Sequence, residues 1–284
     1  MLDYAHRTNR VDPSMRRLAL EYEHVGVSRS AASTVARMDR SERLAPLVEL
    51  RERTYRAVVG GFGADIGCGR GLAVAELVER GVEAVGVDNS QLMTQAARRR
   101  FPLCTFVTAS ADALPFSDGA LRWYRAERTY GQIRNPASAL AEGLRVLAPG
   151  GQMIVVDYDW DSTVIASADP GVTRAVLGAF ADAFPAGHAG TRLPQWLSDA
   201  GFVDISVSTI TMVFTDLRAV APSITTPAIA LAVETGAVSV RQAHDWMMDL
   251  RQRASANQFM LATTLFMSLA RVPDPASDED EAYG

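Results

Sequence analysis

Two short segments carry residues whose types and spacing suit chemistry at a ligand. In 63-GADIGCGRG-71, Asp65 precedes Gly67, Cys68, Gly69 and Gly71, and 84-AVGVDNS-90 ends on Asp88 and Asn89. Glycine has no Cβ, so a turn built from it adopts φ > 0 and lets a ligand lie on the backbone. A helix beginning directly after it, near Leu72, offers unpaired N–H groups. An acidic residue closing the next strand can accept hydrogen bonds from ribose hydroxyls. A second set of reactive types clusters in 127-ERTYGQ-132 and 157-DYDWDS-162, where Glu127, Tyr130, Tyr158 and Trp160 stand with three aspartates. Aromatic faces there would stack on a planar ligand or stabilise a developing cation.

These residues need an element order to bring them together, and the hydrophobic pattern supplies one. From about Phe62 short apolar runs alternate with amphipathic ones, the rhythm of strand–helix units around a parallel sheet. Strands are expected at GADIG, EAVGVD, CTFVTAS, ALRWYRAE and QMIVVDYD, with helices at LAVAELVERG, SQLMTQAARRR and PASALAEGLRVLAPGG, the last stopped by Pro149-Gly150-Gly151. Further helices are expected at 169–184, 191–202 and across 217–258, with strands at 204–217 and 261–272. In an open parallel sheet a ligand lies beyond the carboxyl ends of the strands, where both reactive segments fall.

Composition narrows the classes. The 284 residues carry a net charge of −5, and all 28 basic residues are arginine. No basic face for a phosphate backbone is evident, nor an Asn/Asp-Pro-Pro-aromatic segment for a flipped base, so no nucleic acid partner is expected. No apolar run approaches the ~20 residues of a membrane span, and the polar N-terminus does not read as a secretory signal, so no membrane partner and a cytoplasmic location are expected. Cys68 and Cys104 have no metal spacing and read as reduced packing residues. No metal is expected.

Dinucleotide sites use Gly-x-Gly-x-x-Gly, whereas here the third glycine comes one residue early and Asp65, which would repel a pyrophosphate, precedes the first. A cationic, amine-bearing ligand suits that acid better. The segments resemble the class I S-adenosylmethionine-dependent methyltransferases, especially those similar to ubiquinone and menaquinone biosynthesis enzymes. The likeness covers roughly 62–160: the glycine loop, Asp88, the segment 110-SADALPF-116, and the helix-PGG-strand step 145-RVLAPGGQMIVVD-157. It implies S-adenosylmethionine as cofactor, held by Asp65, Gly67, Cys68, Gly69, Gly71, Asp88, Asn89, Asp112, Ala113 and Glu127. It also implies an α/β, Rossmann-like, doubly wound seven-stranded sheet with its last strand pair antiparallel, an N-terminal helical appendage and helical lid insertions. The division expected is an appendage over 1–50, a cofactor domain over 51–272 with helical insertions near 163–200 and 217–258, and an acidic disordered tail over 273–284.

Methyl transfer chiefly requires that acceptor, methyl and sulfur be held in line, with a proton removed where the acceptor needs it. Tyr130, Tyr158 and Glu127 are the catalytic candidates; Tyr22, Tyr130, Tyr158, Trp160 and His188 are the candidates for the acceptor. Related sequences often carry a histidine where this chain has Gln132, which is no base at neutral pH. That absence leans the reading toward carbon methylation of a small apolar or aromatic molecule, a prenyl chain included, in bacterial secondary metabolism; O- or N-methylation is the alternative. The segment 18-LALEYEHV-25 is a candidate lid and a route to a homo-oligomer, and Trp246-Met247-Met248 a second candidate wall. A non-catalytic module that keeps the cofactor fold is the alternative of a different class.

Overall fold

Apolar runs bounded by glycine become buried strands, and the amphipathic runs between them become the helices that cover the sheet. The computed structural model describes residue 42 and residues 44–275. The elements are α1 (Ala45–Arg56), β1 (Gly63–Ile66), α2 (Leu72–Glu79), β2 (Ala84–Asp88), α3 (Gln91–Arg100), β3 (Thr105–Thr108), β4 (Leu121–Glu127), α4 (Pro136–Val146), β5 (Leu147–Tyr158), β6 (Val164–Ile165), α5 (Pro170–Asp182), α6 (Ala189–Asp199), β7 (Val203–Phe214), α7 (Leu217–Val220), α8 (Thr226–Glu234), α9 (Val240–Ser255) and β8 (Leu261–Arg271). Several helix starts are written in the chain. Asn135 and Asp169 cap α4 and α5 with a proline at the first helical position, and Ser239 with Gln242 forms a capping box on α9.

The sheet has eight strands in the order β3-β2-β1-β4-β5-β8, with β7 along the far side of β8. β3, β2, β1, β4 and β5 are parallel. β8 is antiparallel to both of its long neighbours. The extra strand beyond the seven expected is β6, whose two residues pair with Ala262 and Leu261 beyond the end of β5. Two residues are too short to leave a periodic signal. A second difference lies at α4, which stops at Val146, so that Leu147 already pairs with Leu121 and the Pro-Gly-Gly segment belongs to β5. Extended backbone is what a residue preceding proline favours.

Packing separates two principal cores. Ile66, Val87, Tyr124, Leu140, Val155 and Leu193 lie between the parallel sheet and its helices. Val176, Phe180, Val220, Trp246, Leu250 and Leu261 form another, made mainly by α5 and α7–α9. Trp246 belongs to that second core, its indole N–H donating to Thr173 at 2.9 Å, while Met248 is exposed. α1 runs across the boundary expected after residue 50 and packs Leu47 and Leu50 on Ile210, Met212, Leu265 and Met267 of the sheet. The candidate lid with Tyr22, and the tail from residue 276, lie outside the described residues.

Candidate active site

The loop after β1 turns on left-handed glycines, with φ of 69° at Gly67, 52° at Gly69 and 80° at Gly71. Two of them answer to the protein itself. A Cβ on Gly67 would stand 2.3 Å from the Thr129 hydroxyl, and one on Gly71 2.5 Å from the Phe106 ring. Gly71 caps α2 without any side-chain acceptor, so the first amides of α2 open onto the loop. Cys68 turns its sulfur inward against Val74, Ala97 and Phe106, leaving only its backbone to the loop surface. Asp88, at the end of β2, accepts from Gly69 N and Ser90 N at 2.9 Å each. Burial pushes its carboxyl up, against those two backbone bonds. A carboxylate has about four lone-pair sites, so two bonds leave capacity for vicinal hydroxyls. Asn89, Asp112 and Ala113 are exposed beside it, and Ala109 N on the Asp88 carbonyl ties the two segments together. Left-handed glycines, open helix amides and an under-used carboxylate match what an adenosyl ligand with an amino-acid tail needs.

Asp65 and Glu127 have other partners than the sequence suggests. Arg125, 2% exposed, bonds Asp65 through Nη1 at 2.5 Å, Thr54 through Nε at 2.8 Å and Glu127 through Nη2. Glu127 also meets Arg128 Nε at 3.0 Å. Burial opposes the Glu127 charge, yet Arg125 and Arg128 outweigh it and hold the carboxyl below its usual range. Arg125 thus bridges Asp65 of β1 and Glu127 of β4 in one buried ion network beneath the loop. A charged residue inside the apolar run LRWYRAE was the available signal for Arg125. Arg128 follows with φ of 57°, a left-handed turn unusual for a residue with a side chain, and swings the chain from β4 across the glycine loop.

Tyr130 lies deeper. Its ring is fully buried and its hydroxyl meets that of Tyr124 at 3.1 Å, so it packs the core beneath the site. Gln132 is exposed and turns its amide back to the Arg128 carbonyl. Tyr158 and Trp160, at the end of β5, stack at 4.2 Å, and Trp160 continues onto Phe184 at 5.4 Å and edge-on to Phe180 at 5.0 Å. Phe180 and Phe184 come from α5 and the residues after it and left no motif. Asp157 is buried and accepts from Gly131 N and Tyr158 N; burial pushes its carboxyl up to about 6 despite those bonds.

His188 comes from a distant loop to the same strand ends. Ala186 N bonds the Gly131 carbonyl and Trp160 N the Gly187 carbonyl, each at 3.0 Å. The ring meets buried Asp159 through Nδ1 at 3.3 Å. The chain thus connects the glycine loop, Thr129, Gly131, Asp157 and the aromatic stack, with His188 at the rim.

A family model described as a methyltransferase domain matches residues 64–155. The chain is 32% identical over 235 residues to an uncharacterized 37.1 kDa protein in a transposon of Streptomyces fradiae, covering 77% of this chain and 67% of that one. It is 28% identical over 176 residues to a demethylmenaquinone methyltransferase of Renibacterium salmoninarum, covering 54% of this chain and 74% of the relative. A solved structure of a candidate methyltransferase from Bacillus halodurans shares the fold at a TM-score of 0.55 and 16% identity, over 78% of this chain and 98% of that one. No helix among the described residues is long and apolar enough to cross a membrane. The matched segment begins within β1 and ends within β5, so it contains the glycine loop, Asp88 and the strands that hold them: the chain belongs to the class I S-adenosylmethionine-dependent methyltransferases.

Proposed function

We propose that this methyltransferase acts on a small, largely apolar aromatic acceptor seated against the end of β5, with S-adenosylmethionine lying on the 67–71 loop. The supporting observation is the Tyr158–Trp160–Phe184 stack at the end of β5, an aromatic cluster of the kind that packs against a planar ligand. Asp88 would take the ribose, Asn89 and the 112–113 segment the adenine, and the amides of the loop and of α2 the amino-acid tail. Bound there, the cofactor supplies an electrophilic methyl group. The protein's part is to align the acceptor, exclude water and accept any proton released. The name of the demethylmenaquinone relative points the same way, toward a quinone-like acceptor. A cytoplasmic role in secondary metabolism fits this chemistry.

Two readings differ in the atom that receives the methyl group. Gln132, with no basic nitrogen and its amide turned away, favours carbon, a prenyl alkene included. His188 favours an acceptor bearing O–H or N–H.

The test is transfer of labelled methyl from S-adenosylmethionine to phenols, aromatic amines, quinols and prenylated compounds. Label is expected in an aromatic product. Trp160→Ala is expected to lower kcat/KM for that acceptor by about tenfold or more, a loss of ~1.4 kcal/mol, with cofactor affinity within about twofold of the parent. An unchanged kcat/KM would move the acceptor away from the end of β5.

A further inference from the structure

We infer that Asp159 and His188 form a proton-accepting dyad that commits this site to acceptors carrying an ionisable O–H or N–H. The inference rests on the proposed methyl transfer and adds the atom attacked and the group that takes its proton.

Asp159 is buried at the end of β5 and receives hydrogen bonds only from donors. Asp161 N reaches Oδ1 at 3.0 Å, the Thr191 hydroxyl reaches Oδ2, and His188 Nδ1 reaches Oδ1 at 3.3 Å. The tautomer assigned here puts the proton on Nδ1, facing that carboxylate, and leaves the Nε2 lone pair free. The His188 side chain is 42% exposed, so the free nitrogen is within reach of a ligand.

The histidine is also placed by the backbone. His188 caps α6 at its N-terminus, and α6 begins against the end of β5 because residue 190 is glycine. A Cβ there would lie 2.8 Å from the Asp157 carbonyl and 2.9 Å from Asp159 N. With the bonds from Ala186 to Gly131 and from Trp160 to Gly187, these contacts hold the loop that carries His188 against the residues that follow β4 and β5. Asp159, with Asp161 at 3.7 Å, are the acids the structure brings to the ring.

In the step assigned, a lone pair of the acceptor oxygen or nitrogen attacks the methyl carbon, the carbon–sulfur bond breaks, and its electron pair stays on sulfur, giving S-adenosylhomocysteine. The acceptor proton passes to Nε2, and Asp159 stabilises the imidazolium until water removes the proton. Here His188 is the catalytic residue and Asp159 positions it.

The test has one arm that needs no acceptor. Nitrogen-15 spectra of the histidine rings, assigned with His188→Gln, should show the His188 proton on Nδ1 in the parent and on Nε2 in Asp159→Asn. A parent ring protonated on Nε2 would overturn the dyad. In the second arm, His188→Gln should keep S-adenosylmethionine affinity and thermal unfolding while kcat with the phenols and amines falls by about 100- to 10,000-fold. Asp159→Asn should lie between the two and shift the pH–rate profile. Parent-like kcat in His188→Gln would overturn the inference. So would a rate lost to EDTA and restored by a divalent cation, because Asp159, Asp161 and His188 place donor atoms within 4.8 Å of one another. Transfer by the parent only to alkene carbon would overturn the dyad and leave the methyltransferase reading standing.

Discussion

The cofactor half and the acceptor half of the molecule are built from different kinds of contact. Around the glycine loop, backbone does most of the work: left-handed glycines, open helix amides, and an aspartate that binds two amides. Around the end of β5, side chains from separate elements converge: Trp160 after β5, Phe180 on α5, Phe184 beyond it, and His188 at the start of α6. Backbone geometry constrains sequence directly, because only glycine adopts φ > 0 freely. An aromatic wall can be assembled from many sequences. A cofactor site recurs as a motif, whereas an acceptor site is defined by packing.

The largest effect expected from that difference lies in the brace beneath the cofactor half. Arg125→Met would leave Asp65 buried without its cation and Glu127 with Arg128 alone, at a cost of about 3–5 kcal/mol. Urea unfolding should show it, and a loss near that of an exposed arginine would mean that water already reaches the two acids. A smaller effect, of about 3 kcal/mol, belongs to Asp157 beneath the acceptor half. Its carboxyl, near 3.8 when unfolded, is raised to about 6 by burial, so the folded state holds the proton over a window where the unfolded chain has lost it. Native stability from this group is therefore full below about pH 4 and lost as pH rises through 6. The stability of the parent minus that of Asp157→Asn should fall across that window; a flat difference would mean that the amides of Gly131 and Tyr158 offset burial. The smallest effect should be Asp88→Ala, which removes the proposed ribose contact and weakens S-adenosylmethionine by about 1–3 kcal/mol in calorimetry. If Trp160→Ala weakened the cofactor as much, the two halves would not be separable.

Much of this organisation is legible in the chain. The five parallel strands, the glycine loop, the acid that ends β2, and the long antiparallel β7 and β8 all stand where the apolar runs place them, because strand periodicity and turn chemistry are local properties. The two-residue β6 is too short to show, and the helix expected to run to the Pro-Gly-Gly segment ends at Val146, three residues before Pro149, giving way to strand pairing with Leu121, which is not local.

The sequence by itself determined the sheet and the place where an adenosyl ligand would lie, since glycine spacing and strand ends carry both. Only the tertiary structure decided which charged and aromatic residues face that place. It spent Asp65 and Glu127 on Arg125, sank the Tyr130 hydroxyl against Tyr124, and carried His188 to Asp159. Side-chain type is written in the chain, but a partner 29 residues away in sequence is chosen by how α6 docks on the end of β5, which depends on the packing of the whole domain.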